Sequence, residues 1–111
     1  METAVRIVVT GWNGGGHHSS GAGYGVRMSK KYRDGLVRRE WVQVAVDLPD
    51  GTVAHANVDG KAFWRNCPEL RSKDIGRWML ANGLAPWLKG EPPKFELTVV
   101  ASARFSLTLL K

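Results

Sequence analysis

The chain has 111 residues, 43% of them hydrophobic, a formal net charge of +6 and a single cysteine, Cys67. That length suits one domain with a modest core, and a lone cysteine excludes an internal disulfide and fits a reducing compartment. No apolar run approaches membrane-spanning length and no signal peptide is legible, so the expectation is one cytoplasmic domain over residues 1–111 that has no membrane partner.

In chain order, residues 5–10 (VRIVVT) read as a strand, with Val5, Ile7 and Val9 alternating to one face. Residues 11–29 follow, with seven of the 13 glycines, two adjacent histidines and a tryptophan. So many glycines let a backbone adopt positive φ and come close to a partner, and a long patternless loop is more often functional than connective. Within the stretch, residues 24–29 read as a second strand, with Val26 and Met28 inward and Arg27 outward. Residues 30–36 suit a short helix capped by Ser29 and ending near Gly35.

Residues 41–48 alternate clearly, with Val42, Val44, Val46 and Leu48 on one face. Pro49-Asp50-Gly51 is a tight turn, because Pro fixes φ and Gly accepts the left-handed position. Residues 52–58 return as the partner strand, and after an Asp59-Gly60 turn residues 61–65 are expected to form a fifth strand carrying Phe63 and Trp64. A helix is expected over 72–82, capped by Ser72 and stopped by Gly83, with Ile75, Trp78, Met79 and Asn82 on one face. A proline-rich connection leads to a closing hairpin of residues 95–101 and 104–110. Seven short strands with two short helices, each strand with one apolar face, most simply curl into a small, mainly β barrel. Trp41, Trp64, Trp78 and Trp87 are expected at the core or its edge, whereas Trp12, in the loop, reads as a contact residue.

The charge is uneven: residues 1–39 carry seven basic side chains against two acidic, and the remainder nine against eight. Positive charge concentrated around a glycine loop points to a polyanion. It is not a nucleotide loop, because GWNGGGH lacks the Gly-Lys-Ser/Thr ending of a P-loop, and VRMS reads as strand where a dinucleotide fingerprint needs a helix. His17 and His18 have no partners at metal-ligand spacing, and no nucleophile, base or paired-carboxylate pattern stands out. The expectation is a chain without a catalytic centre, cofactor or metal.

At VRMSKKYRDGL, and in the order of elements around it, the chain resembles the B-three DNA-binding pseudobarrel, found in plant transcription factors and in the effector domains of EcoRII-type restriction endonucleases. The likeness is one of order and pattern, and covers residues 5–110. The glycine-histidine loop is similar to the first recognition arm of the restriction type. Residues 26–31 resemble the basic strand end, with Ser29 where the family often has Pro. The helix ending in an Asn-Gly-Leu turn resembles the family's second helix, but APWLKGEPPKF replaces the usual Gly-Asp after it. The resemblance implies an open seven-stranded pseudobarrel gripping the major groove of double-stranded DNA with two arms, residues 12–24 and the region 57–66. It allows a nuclease or methyltransferase companion.

On that reading the first arm supplies Trp12, Asn13, His17, His18, Ser19, Ser20 and Tyr24. Asn13, the histidines and the serines are donors and acceptors suited to base edges. Arg27, Lys30, Lys31 and Arg33 are expected to hold phosphates. Lys61, Arg65 and Asn66 belong to the second arm by resemblance. Two rivals stay open: an RNA- or single-strand-binding small barrel, which needs aromatics exposed on the sheet, and a protein-interaction or toxin–antitoxin barrel, which needs an exposed apolar patch.

Overall fold

The computed structural model describes residues 5–15 and 19–110. Seven strands, β1 (Arg6–Asn13), β2 (Tyr24–Arg27), β3 (Gln43–Asp47), β4 (Val53–Asn57), β5 (Glu69–Arg71), β6 (Lys94–Ala101) and β7 (Arg104–Leu109), form one sheet in the order β4-β3-β7-β6-β1-β2-β5. Every ladder is antiparallel except β3 with β7. The terminal strands β4 and β5 meet without a ladder between them, so the sheet curls into a nearly closed barrel with one unsealed seam. This is the mainly β, seven-stranded open barrel expected. Among the described residues it carries three helices rather than two: α1 (Lys30–Leu36), α2 (Lys61–Arg65) and α3 (Lys73–Ala81).

Alternation supplies the core. Ile7 and Val9 of β1, Val44 and Val46 of β3, Phe95 and Leu97 of β6, and Phe105 and Leu107 of β7 are all buried inside the barrel. Val42 was expected among them, but it precedes the β3 ladder and is 61% exposed. The β3–β4 turn forms as its residues dictate. Gly51 takes φ +90°, and Asp50 Oδ1 accepts from the Thr52 backbone N–H at 2.8 Å.

Helix α3 lies against β2 and β4, next to both sides of the seam. Ser72 Oγ caps it by accepting from the Asp74 N–H, and Gly83 leaves it at φ +68°. Ile75, Trp78 and Met79 are buried, Trp78 with its ring 5.7 Å from Phe95. Asn82, placed on that face by spacing, is exposed, and its side-chain amide donates back to the Trp78 carbonyl. Trp41, Trp64 and Trp87 are partly buried against the core, as expected.

Residues 61–65 are a correction. They form helix α2, not a strand, and the fifth strand is Glu69–Arg71. Phe63 and Trp64 are adjacent, and in a helix both can lean toward the interior. Phe63 is buried, Trp64 is half-buried, and the rings meet edge to face at 5.3 Å.

Candidate nucleic-acid interface

The glycine stretch divides into three parts. Its first residues are strand: β1 continues through Gly11, Trp12 and Asn13, which pair with Val26, Gly25 and Tyr24 of β2. The Gly14 N–H donates to the Gly23 carbonyl at 2.8 Å and closes the neck of the loop. The return limb then rests on α3. A Cβ at Gly76 would overlap the carbonyl oxygen of Gly21, and a Cβ at Gly21 would overlap that of Lys73, so the two backbones touch only because neither residue has a side chain. Arg77 Nε donates to the Ser20 carbonyl at 3.1 Å and fixes the same limb.

Trp12 is therefore a strand residue, not a loop residue. The register places Trp12 opposite Gly25 and Gly25 opposite Arg71, so Trp12 and Arg71 flank a residue with no side chain on the outer face of the barrel. The Arg71 guanidinium carbon lies 4.4 Å from the Trp12 ring centroid. Asn13 is half-buried, and its Oδ1 accepts from the Gly15 N–H at 3.1 Å, shaping the outgoing limb. Ser19 and Ser20 are exposed on the loop. His17 and His18 lie outside the described residues.

Two expected contact residues are corrected. Tyr24 is 1% exposed: its side chain turns into the core, with its ring 5.8 Å from Trp87 in the proline-rich connection, out of reach of a ligand. Arg33, expected on phosphate, is 5% exposed. It faces inward from α1, and its Nη1 donates to the carbonyls of Phe63 at 2.9 Å and Arg65 at 3.5 Å. The final carbonyls of a helix have no partner within it, and Arg33 supplies one to α2. Its guanidinium also pairs with Asp34 at 3.0 Å and lies 5.3 Å from the Trp64 ring centroid. It joins α1 to α2 and is not available as a surface clamp.

The remaining basic residues converge. Arg27 Nη2 donates to the Asn66 carbonyl at 2.9 Å, and Lys30 Nζ donates to Asn66 Oδ1 at 3.0 Å. The basic end of β2, the start of α1 and the end of α2 thus meet at one asparagine. Lys31 is exposed beside Lys30, and Lys61 and Arg65 are exposed on α2.

Beneath them lies a residue that sequence reasoning passed over. Glu69 opens β5 directly opposite Arg27. Its side chain is 1% exposed, with Oε1 2.7 Å from Arg71 Nη2 and Oε2 3.6 Å from Arg27 Nε. Both arginines are about half exposed, so one buried carboxylate anchors two outward cations. The signal available in the sequence was the run Glu-Leu-Arg after Cys-Pro, one apolar residue between opposite charges. A cleft of about 330 Å3 opens along the seam, bordered by Asn57 of β4 and by Glu69 and Arg71 of β5. No family model, curated protein or solved structure matches this chain.

Proposed function

We propose that the β2–β5 edge, with the glycine loop on one side and α1 and α2 on the other, binds double-stranded DNA. The chain acts by binding alone, as a B-three-like recognition domain of restriction or regulatory type, with any nuclease or methyltransferase chemistry held by a companion. The observation that carries this reading is the convergence of three cations on one edge: Arg27 and Arg71 share the buried carboxylate of Glu69, and Arg27 and Lys30 meet at Asn66. Such an edge keeps a surplus of positive charge toward solvent, which suits a phosphate backbone. Lys31, Lys61 and Arg65 extend it.

The single-strand reading is less well supported. It needs open aromatic faces, and Trp12 is half-buried with Arg71 over its ring.

The test is duplex binding across a salt series. Log affinity is expected to fall linearly with log salt, by about 0.9 for each phosphate neutralised. Replacing Lys30 and Lys31 together with Ala should weaken all duplexes alike and make the slope shallower, whereas Arg104→Ala, on the opposite side of the sheet order, should change neither. A flat salt profile for the unmodified chain would count decisively against a nucleic-acid partner.

A further inference from the structure

We propose that Arg71 reads a guanine in the major groove, its guanidinium held ready by Glu69 and Trp12. The inference rests on the duplex-binding reading and adds to it a base and the residue that recognises it.

The two arginines that share Glu69 are held differently. Arg71 receives a hydrogen bond acceptor: its Nη2 lies 2.7 Å from Glu69 Oε1. From Glu69, Arg27 receives charge only; its own hydrogen bond runs from Nη2 to the Asn66 carbonyl at 2.9 Å. Glu69 Oε2, which faces Arg27 at 3.6 Å, is a buried side-chain oxygen with no hydrogen-bond partner among the described residues. Arg71 is also supported by the Trp12 ring, at 4.4 Å, in the gap that Gly25 leaves open. A Cβ at Gly25 would overlap the Leu70 carbonyl oxygen, so the gap comes with the close approach of β2 to β5. Carboxylate and ring together fix the fork of Arg71 while its side chain stays 55% exposed.

That arrangement suits a base better than a phosphate. A phosphate accepts from any direction and is served by exposed lysines such as Lys31, with no fixed fork. Guanine presents O6 and N7 side by side, and a planar arginine fork matches them with two parallel hydrogen bonds. A fork immobilised before contact loses little further side-chain freedom on binding. Glu69 takes one of the five N–H donors, which leaves enough for a bidentate contact. Glu69 and Trp12 act here as positioning residues.

The experiment starts from a duplex selected by the full chain out of a random pool. Each guanine of the selected site is replaced in turn by 7-deazaguanine, which removes N7 and keeps the pairing and the phosphates. For the unmodified chain, one such replacement should weaken binding roughly tenfold or more. Arg71→Lys keeps the charge and loses the fork. It should keep the salt slope, because the charge is retained, and be indifferent to that replacement. If the lysine variant does not match the parent's thermal melt, Arg71→Gln is compared by its response to 7-deazaguanine alone, because it also removes a charge and so makes the salt slope shallower. A selected site without guanine, or an Arg71→Lys protein that still senses 7-deazaguanine, overturns the inference. So does an Arg71→Lys protein that weakens every duplex equally with a shallower slope, which would make Arg71 a phosphate contact. If the unmodified chain binds no duplex in a salt-dependent way, the duplex reading itself fails, a result distinct from duplex binding that ignores guanine.

Discussion

The two sides of the strand order use the same pair of side-chain types in different ratios. On the β3–β7 side, Asp47 takes both prongs of Arg104, with Nη2 to Oδ1 at 2.6 Å and Nε to Oδ2 at 3.0 Å. The hydrogen bonds that Arg104 donates to Asp47, and then the Asp47 charge, raise the Arg104 guanidinium above its ordinary range. One carboxylate and one cation close on each other and leave nothing over. On the β2–β5 side, one carboxylate serves Arg27 and Arg71 and is itself buried. Pairing one to one produces a neutral surface. Pairing one to two produces an ordered cationic one, and only the second is of use to a polyanion.

The largest expected effect concerns whether the two sides stand or fall together. Helix α3 packs on β2 and β4, so Trp78→Ala should remove support from both at once. Opening that cavity costs on the order of 3–5 kcal/mol, most of the stability of so small a domain. Thermal melting and amide exchange provide the readout. Exchange that rises in β2–β5 while β3–β4 stays protected would mean that the two sides are separate units, and the contrast between them would need another explanation.

A smaller effect separates buried from surface arginine. Arg33→Ala leaves the Phe63 carbonyl without its donor and opens space between α1 and α2, at about 2–3 kcal/mol. Arg104→Ala should leave the melting temperature close to that of the parent, since a solvent-screened pair contributes little. Equal losses from the two substitutions would show that the Asp47 pair is structural rather than merely compensating.

These contrasts also show what could be read beforehand. The β3–β4 and β6–β7 hairpins were legible because alternation, a Pro-Asp-Gly turn and β-branched residues all agreed. Helix α3 was legible from its two caps and its apolar spacing. Residues 61–65 were misread because five residues do not distinguish a period of two from one of 3.6. Strand β5 escapes local reading because its sole apolar residue, Leu70, sits between two charges, one of which, Glu69, has its second partner, Arg27, across the fold. Arg33 looked like its exposed neighbours Lys30 and Lys31. Its burial depends on the Phe63 carbonyl, 30 residues away, which local sequence does not encode. The glycine stretch up to residue 23 reads as a loop, but Trp12 and Asn13 belong to the β1–β2 ladder and Gly21 to a helix contact.

The smallest effect tests the β3–β4 turn. The Asp50 carboxyl is held below its usual range by the Thr52 backbone N–H first and the Thr52 hydroxyl second. A depressed carboxyl adds stability above its unfolded-state range and loses it as pH falls through the folded-state value. Asp50→Asn keeps an acceptor and removes the charge. Its melting temperature should fall slightly below that of the parent at neutral pH and converge with it in acid, and a gap that persists in acid would point to the hydrogen bond rather than the charge. Neither curve should shift the salt dependence of duplex binding, because this turn belongs to β3 and β4, on the neutral side.

The Gly14–Gly23 neck has a practical consequence. Gly21 is locked against Gly76, and Gly25 against Leu70, so these positions form a frame that accepts no side chain. The neck hydrogen bond lies between backbone atoms and is indifferent to what is strung between its ends. Diversification can therefore be confined to positions 16–20, with 14, 15, 21, 23 and 25 held as glycine, position 15 because its φ is +90°. A library built on that rule would vary what the loop presents to a ligand while leaving barrel, helix and cationic edge as an unchanged mount.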